Sequence, residues 1–277
     1  MSSHPLVSVV MPVYDAGDTV DVAVRSLLSQ NYEPMEVLVI DDGSTDTTAA
    51  VVSSIHDSRV RLLRRDHQGL VKTLNYGCAQ ARGEYIARLD ADDVAHERRI
   101  AAQVDYLQEY SDVGLLGTWA KIVSAEGEAG TFEPPVSDAA LRRYLLWDNP
   151  FVHSSVMFRR AAFQEAGSYP EGLAEEYRLW IRMARSWKLA VLPEPLVTHR
   201  IHRVSYTRRQ RRAASLGGRF RAQWEAARTL GPLHEAVPAL AVTGGSYLLA
   251  LLGGQTESTL RGLVRGVSRR ARRFREG

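Results

Sequence analysis

Residues 84–93 read EYIARLDADD. An apolar run, 84–89, is followed at once by Asp90, Asp92 and Asp93. The run is short, bounded by Gly83 on one side and acids on the other, and reads as a buried strand. In extended backbone Asp90 and Asp92, two apart, point the same way. Carboxylates held so close repel one another unless a cation neutralises them. Oxygen ligands of this kind suit Mg²⁺ or Mn²⁺. A solvated acidic turn is the simpler account of such a motif alone, and the surrounding chain has to decide between the two.

Upstream, the chain alternates strand and helix. LVSVVMPVY (6–14) is apolar almost throughout, as a strand covered on both faces should be. Val20, Val24, Leu27 and Leu28 mark a helix over 18–30, with Asp18 as its expected N-cap. MEVLVI (35–40) is a second strand, stopped by Asp41-Asp42-Gly43-Ser44, and a short helix over 46–55 follows. A third strand covers 59–63, and a helix over 70–81 is expected to end on Gly83 in a left-handed cap. This order implies an α/β fold with a largely parallel sheet and helices on both faces. Ligands of such sheets bind beyond the carboxyl ends of the strands. Tyr14-Asp15, Asp41-Asp42 and Asp90 to Asp93 all stand at such ends. In that company the acidic turn reads as a cation site.

Beyond residue 95 the pattern is more mixed. A helix is expected over 96–110, strands over 113–123 and 151–158, a loop at Pro134-Pro135, and a helix over 174–186. Two short apolar runs, 190–192 and 196–201, are broken by prolines, and Arg/Ala-rich helix follows residue 205. Glu175-Glu176 opens the 174–186 helix. Acids in a first turn complement the helix dipole, which is the simpler reading; the functional one makes one of the pair a general base. His202 is a lone histidine after the last apolar run.

Composition bounds the rest. With 277 residues, 45% hydrophobic and 24% charged, the chain is an ordinary globular one with a sizeable core. A net charge of +3 gives no argument for nucleic acid. Arg261, Arg265, Arg269, Arg270, Arg272, Arg273 and Arg275 form a basic run that suits either solvent or an anionic lipid surface. The uncharged stretch 236–256, interrupted by glycines and Pro238, fits a buried or dimer-forming helical hairpin better than a membrane span. Cys78 is the only cysteine, so a reducing compartment fits. Residues 1–10 lack a basic region ahead of a long apolar run and read as strand, not signal peptide. The expected location is cytoplasmic, with peripheral contact at the inner face of a membrane as a variant.

The stretches VSVVMPVYDAGDTV (7–20), VLVIDDGSTD (37–46), GEYIARLDADD (83–93), NPFVHSSVMFRR (149–160), AEEYRLW (174–180) and THRIHRVS (198–205) together resemble the family 2 glycosyltransferases of GT-A fold. The resemblance implies a Rossmann-like catalytic domain over 1–205, with a donor half to 110 and an acceptor half to 205. Residues 206–277 are then a helical extension with a basic tail. It implies an inverting, metal-assisted transfer from a nucleoside-diphosphate-sugar, a UDP-sugar favoured, to a saccharide or lipid-linked hydroxyl in bacterial-type polysaccharide or glycoconjugate synthesis. Pro12, Tyr14 and Asp42 resemble the walls and acceptor of the base pocket. Asp90 resembles the ribose ligand, Asp92 the metal ligand with Asp93 sharing that role, Glu176 the base, and His202 a histidine near the diphosphate or metal. Three positions depart from the family pattern. Asp15 replaces the usual Asn, which should alter only a turn. Glu175-Glu176 replaces Glu-Asp, which leaves Glu175 as an alternative base. Arg178 replaces an acid, which suggests a different acceptor environment. A nicotinamide-dependent fold is excluded by the first turn, 14–18, which has one glycine and two acids that repel a pyrophosphate. A metal-dependent nucleotidyltransferase lacking its usual phosphate loop, and a non-catalytic nucleotide-sugar-binding protein, are the competing readings.

Overall fold

The computed structural model describes residues 4–201, 208–231 and 233–252. Strand β1 (Val7–Val13) is buried at every position and lies between two parallel partners, β2 (Met35–Asp41) and β4 (Tyr85–Arg88). β3 (Val60–Arg64) adds to the outer side of β2, also parallel. The apolar runs follow from this geometry, because successive side chains enter two different cores. Val7, Val9 and Met11 pack with Val20, Val24 and Leu27 of α1 (Val20–Leu28). Val10, Leu38, Ile40 and Ile86 pack with Leu74 and Cys78 of α3 (Leu70–Gln80) on the other face. Between them in sequence, α2 (Thr48–Ser53) links β2 to β3.

The second half extends the same sheet in mixed sense. β5 (Val94–Ala95) and α4 (Arg99–Glu109) lead into β6 (Val113–Ser124), which pairs with β7 (Gly127–Phe132) as a hairpin. After α5 (Asp138–Leu145), β8 (Met157–Arg159) inserts antiparallel between β4 and β6, and α6 (Arg160–Ala166) and α7 (Glu175–Met183) follow. β9 (Lys188–Arg200) runs parallel to β6, giving the order β3-β2-β1-β4-β8-β6-β9-β5, with β7 on β6. Helices α8 (Arg208–Thr229) and α9 (Leu233–Leu252) pack on each other, and α8 packs on α7. Small residues allow the close approach of α8 and α9: a Cβ on Gly244 would lie 3.1 Å from the Phe220 ring. Residues 236–252, expected to fold back as a hairpin, are one helix with Pro238 inside it. No helix of the described residues is long and apolar enough to cross a membrane. The basic run 261–275 lies outside the described residues.

Several local expectations are corrected. Thr19, not Asp18, occupies the N-cap of α1. Gly83 is not in the left-handed region. It is required because a Cβ there would meet Leu6 O and Ser8 N at 2.6 Å. Residues 151–158 are mostly not strand: a short 3₁₀ turn, His153–Ser155, precedes the three residues of β8. The prolines in 190–201 do not break β9. Register shifts opposite Thr118, Trp119 and Ala120 absorb them as bulges, where a missing N–H is tolerated. β5, two residues long, and β7, GEAGTF, carry no periodicity that announces them, and α5, unlike them, has Leu141 and Leu145 at helical spacing.

The amino-terminal edge of the sheet is tied by one buried carboxylate. Glu36 accepts from Ser8 Oγ (2.7 Å), Arg82 N (3.0 Å), Arg82 Nη2 (2.7 Å) and Arg61 Nη1 (3.1 Å). Burial alone pushes this carboxyl up, but Arg82, Ser8 and Arg61 outweigh it and hold it down at about 2. A depressed folded value means stability present above the ordinary value of 4.5 and lost as the pH falls towards about 2. Glu36→Gln should therefore cost roughly 2 kcal/mol at neutral pH and flatten the acid limb of the stability curve between those values, read by urea denaturation across pH.

Candidate active site

Because β1 is hydrogen-bonded in parallel to both β2 and β4, the acids that follow the three strands open on one edge of the sheet. Asp41 and Asp42 do different work there. Asp41, fully buried, closes its own turn by accepting from Ser44 N (2.8 Å) and pairs with Arg64 Nε (3.2 Å). Asp42 reaches across to the start of α3 and accepts from Gln68 N (3.0 Å), Gly69 N (2.8 Å) and Thr73 Oγ1 (2.7 Å). His67 Nδ1 lies 3.0 Å from its Oδ2. Burial raises the Asp42 carboxyl, and these donors more than reverse it, so it stays below the usual range. Tyr14, half exposed, sets its ring 4.5 Å from that of His67, and Pro12 is buried in β1 opposite Ile40. Asp15 sits at φ +46 and accepts from Thr45 N (2.8 Å), while its own N–H donates to Ser44 Oγ (3.0 Å). Its carboxylate thus stitches the first loop to the second.

Beyond β4, one oxygen from each of Asp90, Asp92 and Asp93 lies within 4.8 Å of the others. Positive charge and donors are built in behind them. Arg88, buried, pairs with Asp90 and donates to Ser154 Oγ (2.9 Å). Ser154 Oγ accepts from Asp90 N (3.0 Å) and donates to Asp90 Oδ2 (3.2 Å). Asp93, fully buried, accepts from Arg200 N (2.8 Å) and meets His199 Nδ1 at 2.9 Å. Burial pushes Asp93 up, but His199 foremost holds it below the usual range, and Asp93 in turn raises His199. Arg99, also buried, donates to Arg88 O (2.9 Å) and Val156 O (3.0 Å), and burial together with Arg88 lowers it to about 9. An all-carboxylate set of this spacing fits a hard divalent cation such as Mg²⁺ or Mn²⁺. His202 lies outside the described residues; within them, the histidine of that segment that reaches the acids is His199.

Glu175 and Glu176 begin α7, whose N-cap, Ala174, is left-handed at φ +57. Glu176 is partly buried, and Asn149 Nδ2 donates to its Oε1 at 3.5 Å. Burial, then the neighbouring charge of Glu175, raises its pKa, while Arg88 opposes and Asp90 adds to the rise. Asn149 and Ser154, the partner of Asp90, belong to one short segment before β8, which links Glu176 to the acids after β4. Arg178 Nε donates to Glu225 of α8 (3.2 Å) and its Nη1 to Glu171 O (3.0 Å). The loop before α7 is held by Tyr169, whose backbone N–H and C=O are both clamped by Asn75 at 2.9 Å. The Tyr169 hydroxyl shares a hydrogen bond with the partly buried His153 (2.9 Å), whose pKa is held well below the ordinary value by desolvation and by Arg88.

Sequence reasoning missed Arg88, Ser154, His199 and Asn149 as site residues. Arg88 stands two residues before the acid cluster, and a cation inside an apolar strand is a signal that could have been read. Ser154 and Asn149 stood in a motif already singled out, but their partners are distant in sequence.

The Glycosyl transferase family 2 profile matches residues 8–167. An uncharacterized glycosyltransferase of Haemophilus influenzae is 31% identical over 220 residues, covering 73% of this chain and 67% of that protein. The chain therefore belongs to glycosyltransferase family 2. The O-antigen biosynthesis glycosyltransferase WbnJ of Escherichia coli is 27% identical over 207 residues, 72% of this chain and 81% of WbnJ. In fold the chain is similar to TarS 1-349 of S. aureus in complex with UDP-GlcNAc, with TM-score 0.71, 18% identity, and coverage of 92% and 78%. It is also similar to the mannosyltransferase PcManGT of Pyrobaculum calidifontis, with TM-score 0.65, 21% identity, and coverage of 98% and 81%. These are GT-A glycosyltransferases, so the mixed sheet with flanking helices is the GT-A fold.

Ser154→Ala would leave a buried Arg88 donor and the Asp90 N–H without their acceptor. We expect a loss of ~1–3 kcal/mol in folding free energy, measured by chemical denaturation. An unchanged midpoint would show that Ser154 does not hold the acid turn.

Proposed function

We propose that this protein transfers a hexosyl group from a nucleoside-diphosphate-sugar to an acceptor hydroxyl by a single displacement with inversion. What supports the reading is that the Asp42 turn and the Asp90–Asp92–Asp93 cluster follow neighbouring parallel strands, and that the segment carrying Ser154, the partner of Asp90, also carries Asn149, the donor to Glu176. The two structures of similar fold described above hold UDP-GlcNAc in one case and GDP-Man with Mn²⁺ in the other, which supports a nucleotide-sugar donor. A UDP-sugar is the favoured donor. The WbnJ likeness supports a saccharide acceptor, and the basic run 261–275 suits one carried on an anionic lipid surface.

Pro12 and Tyr14 wall the base. Asp42 already accepts from Gln68, Gly69 and Thr73, so a base N–H takes the place of His67 on its remaining lone pair. Asp90 lies towards the ribose. Asp92, with Asp93 sharing and His202 assisting, would hold Mg²⁺ or Mn²⁺, which when bound neutralises charge on the departing diphosphate. Glu176 removes the acceptor proton as the oxygen attacks, and Asn149 orients its carboxylate. Glu175, one residue away at the helix start, raises the basicity of Glu176 by its charge and is the alternative base.

Two outcomes test this. Glu176→Gln should lower turnover ~10²–10⁴-fold, and Asp92→Ala should do so with weakened donor binding. The product should be nucleoside diphosphate; release of pyrophosphate would instead mark nucleotidyl transfer. The second is a pH profile. Glu176 acts deprotonated, and its raised pKa places the acid limb of kcat/KM above the ordinary 4.5. Removing the like charge in Glu175→Gln should move that limb to lower pH while turnover persists. A limb that stays in place would refute the coupling, and loss of turnover in Glu175→Gln alone would make Glu175 the base.

A further inference from the structure

Helix α8 lies outside the matched family region, 8–167, yet its contacts converge on the segments that seat Glu176. On the amino-terminal side of α7, Gly218 faces Leu173 and Ala174. A Cβ on Gly218 would lie 2.6 Å from Leu173 Cβ and 3.5 Å from Ala174 N. Ala174 holds φ +57, a conformation that non-glycine residues keep only where the surroundings impose it. The helix against it is therefore part of what fixes the residue directly before the Glu175-Glu176 pair.

On α7 itself, Glu225 of α8 accepts from Arg178 Nε (3.2 Å) and Arg182 Nε (3.3 Å), and Arg185, just past the end of α7, lies 3.7 Å away. Arg178 is two residues from Glu176. On the third side, Arg219 Nη2 and Gln223 Nε2 donate to Trp147 O at 3.0 and 2.6 Å, and Arg219 also pairs with Asp148 (3.0 Å). The next residue is Asn149, the donor to Glu176. Ala222 and Ala226 are fully buried in the same core as Tyr177 and Trp180, so the whole inner face of α8 is committed to this packing.

We propose that α8 is a positioning element of the active site, in which Gly218, Arg219, Gln223 and Glu225 fix the placement of Glu176. This rests on the reading of Glu176 as the base. A carboxylate that must meet an acceptor proton at hydrogen-bond distance is sensitive to small displacements, and ~1 Å can cost ~100-fold in rate. The contacts of Gly218, Arg219, Gln223 and Glu225 go to Leu173, Trp147, Asp148 and α7, so their loss should act on kcat more than on donor affinity.

The test uses the full chain with UDP-GlcNAc or GDP-mannose and Mn²⁺ as probes, following release of nucleoside diphosphate. Glu225→Gln, which keeps the side-chain volume, and Gly218→Ala should each lower kcat about 10- to 100-fold with donor KM within about twofold of the parent. Adding Leu173→Gly to Gly218→Ala removes the clashing Cβ and should restore part of the loss. Unchanged kcat in both single variants overturns the proposal. So does a parallel fall of kcat, donor affinity and melting temperature without rescue, which marks α8 as merely structural. Undiminished release by Glu176→Gln, or none by the parent chain, overturns instead the reading of Glu176 on which it rests.

Discussion

Carboxylates crowded at one strand end are tolerated only where countercharge and donors are supplied at short range. Here Arg88 and Arg99 stand buried behind the acids, Ser154 links Arg88 to Asp90, and His199 with the Arg200 N–H holds Asp93. These partners come from β4, α4, the turn before β8, and the end of β9. The acid turn is therefore the joint at which the parallel half of the sheet and its mixed half are fastened together. A buried charge that loses its partner is far more costly than an exposed one, so this joint constrains both halves at once.

The two ends of the central strands are treated differently. At the amino-terminal edge, Glu36 is saturated by Ser8, Arg61 and Arg82, which seals the sheet. At the carboxyl edge the polar groups are ordered but partly open: Tyr14 and His67 are exposed, and Asp90 and Asp92 are half-buried. Asp42 illustrates the compromise, since its carboxylate builds the turn at the start of α3 while remaining at the pocket edge. Ligands bind at this end of such sheets because the loops there diverge and backbone donors are left over.

The charge on α7 changes meaning once the fold is known. In the chain, Glu175-Glu176 followed by Arg178 reads as a first-turn dipole pair with an odd cation nearby. In the fold, Arg178 turns to Glu225 of α8, and Glu176 takes a hydrogen bond from Asn149. One short helix thus separates a site face from a packing face, and α8 covers the latter.

What the sequence determined by itself was local and repetitive. β1, β2 and β4 were legible because strands buried on both faces must be apolar throughout. The acids closing them were legible because charge at three strand ends falls where parallel sheets bind their ligands. Helix starts and the 151–158 segment were misread because capping and strand length depend on neighbours: Thr19 rather than Asp18 begins α1, and Ser154 is drawn out of strand geometry towards Asp90. Only the tertiary structure could decide the partners of the acids. Ser154 lies 64 residues from Asp90 and His199 lies 106 from Asp93, and hydrogen bonds over such separations leave no periodicity in the chain. Gly83 shows the same division: its presence was evident, but its reason, the approach of Leu6 O and Ser8 N, exists only after β1 and β4 have paired.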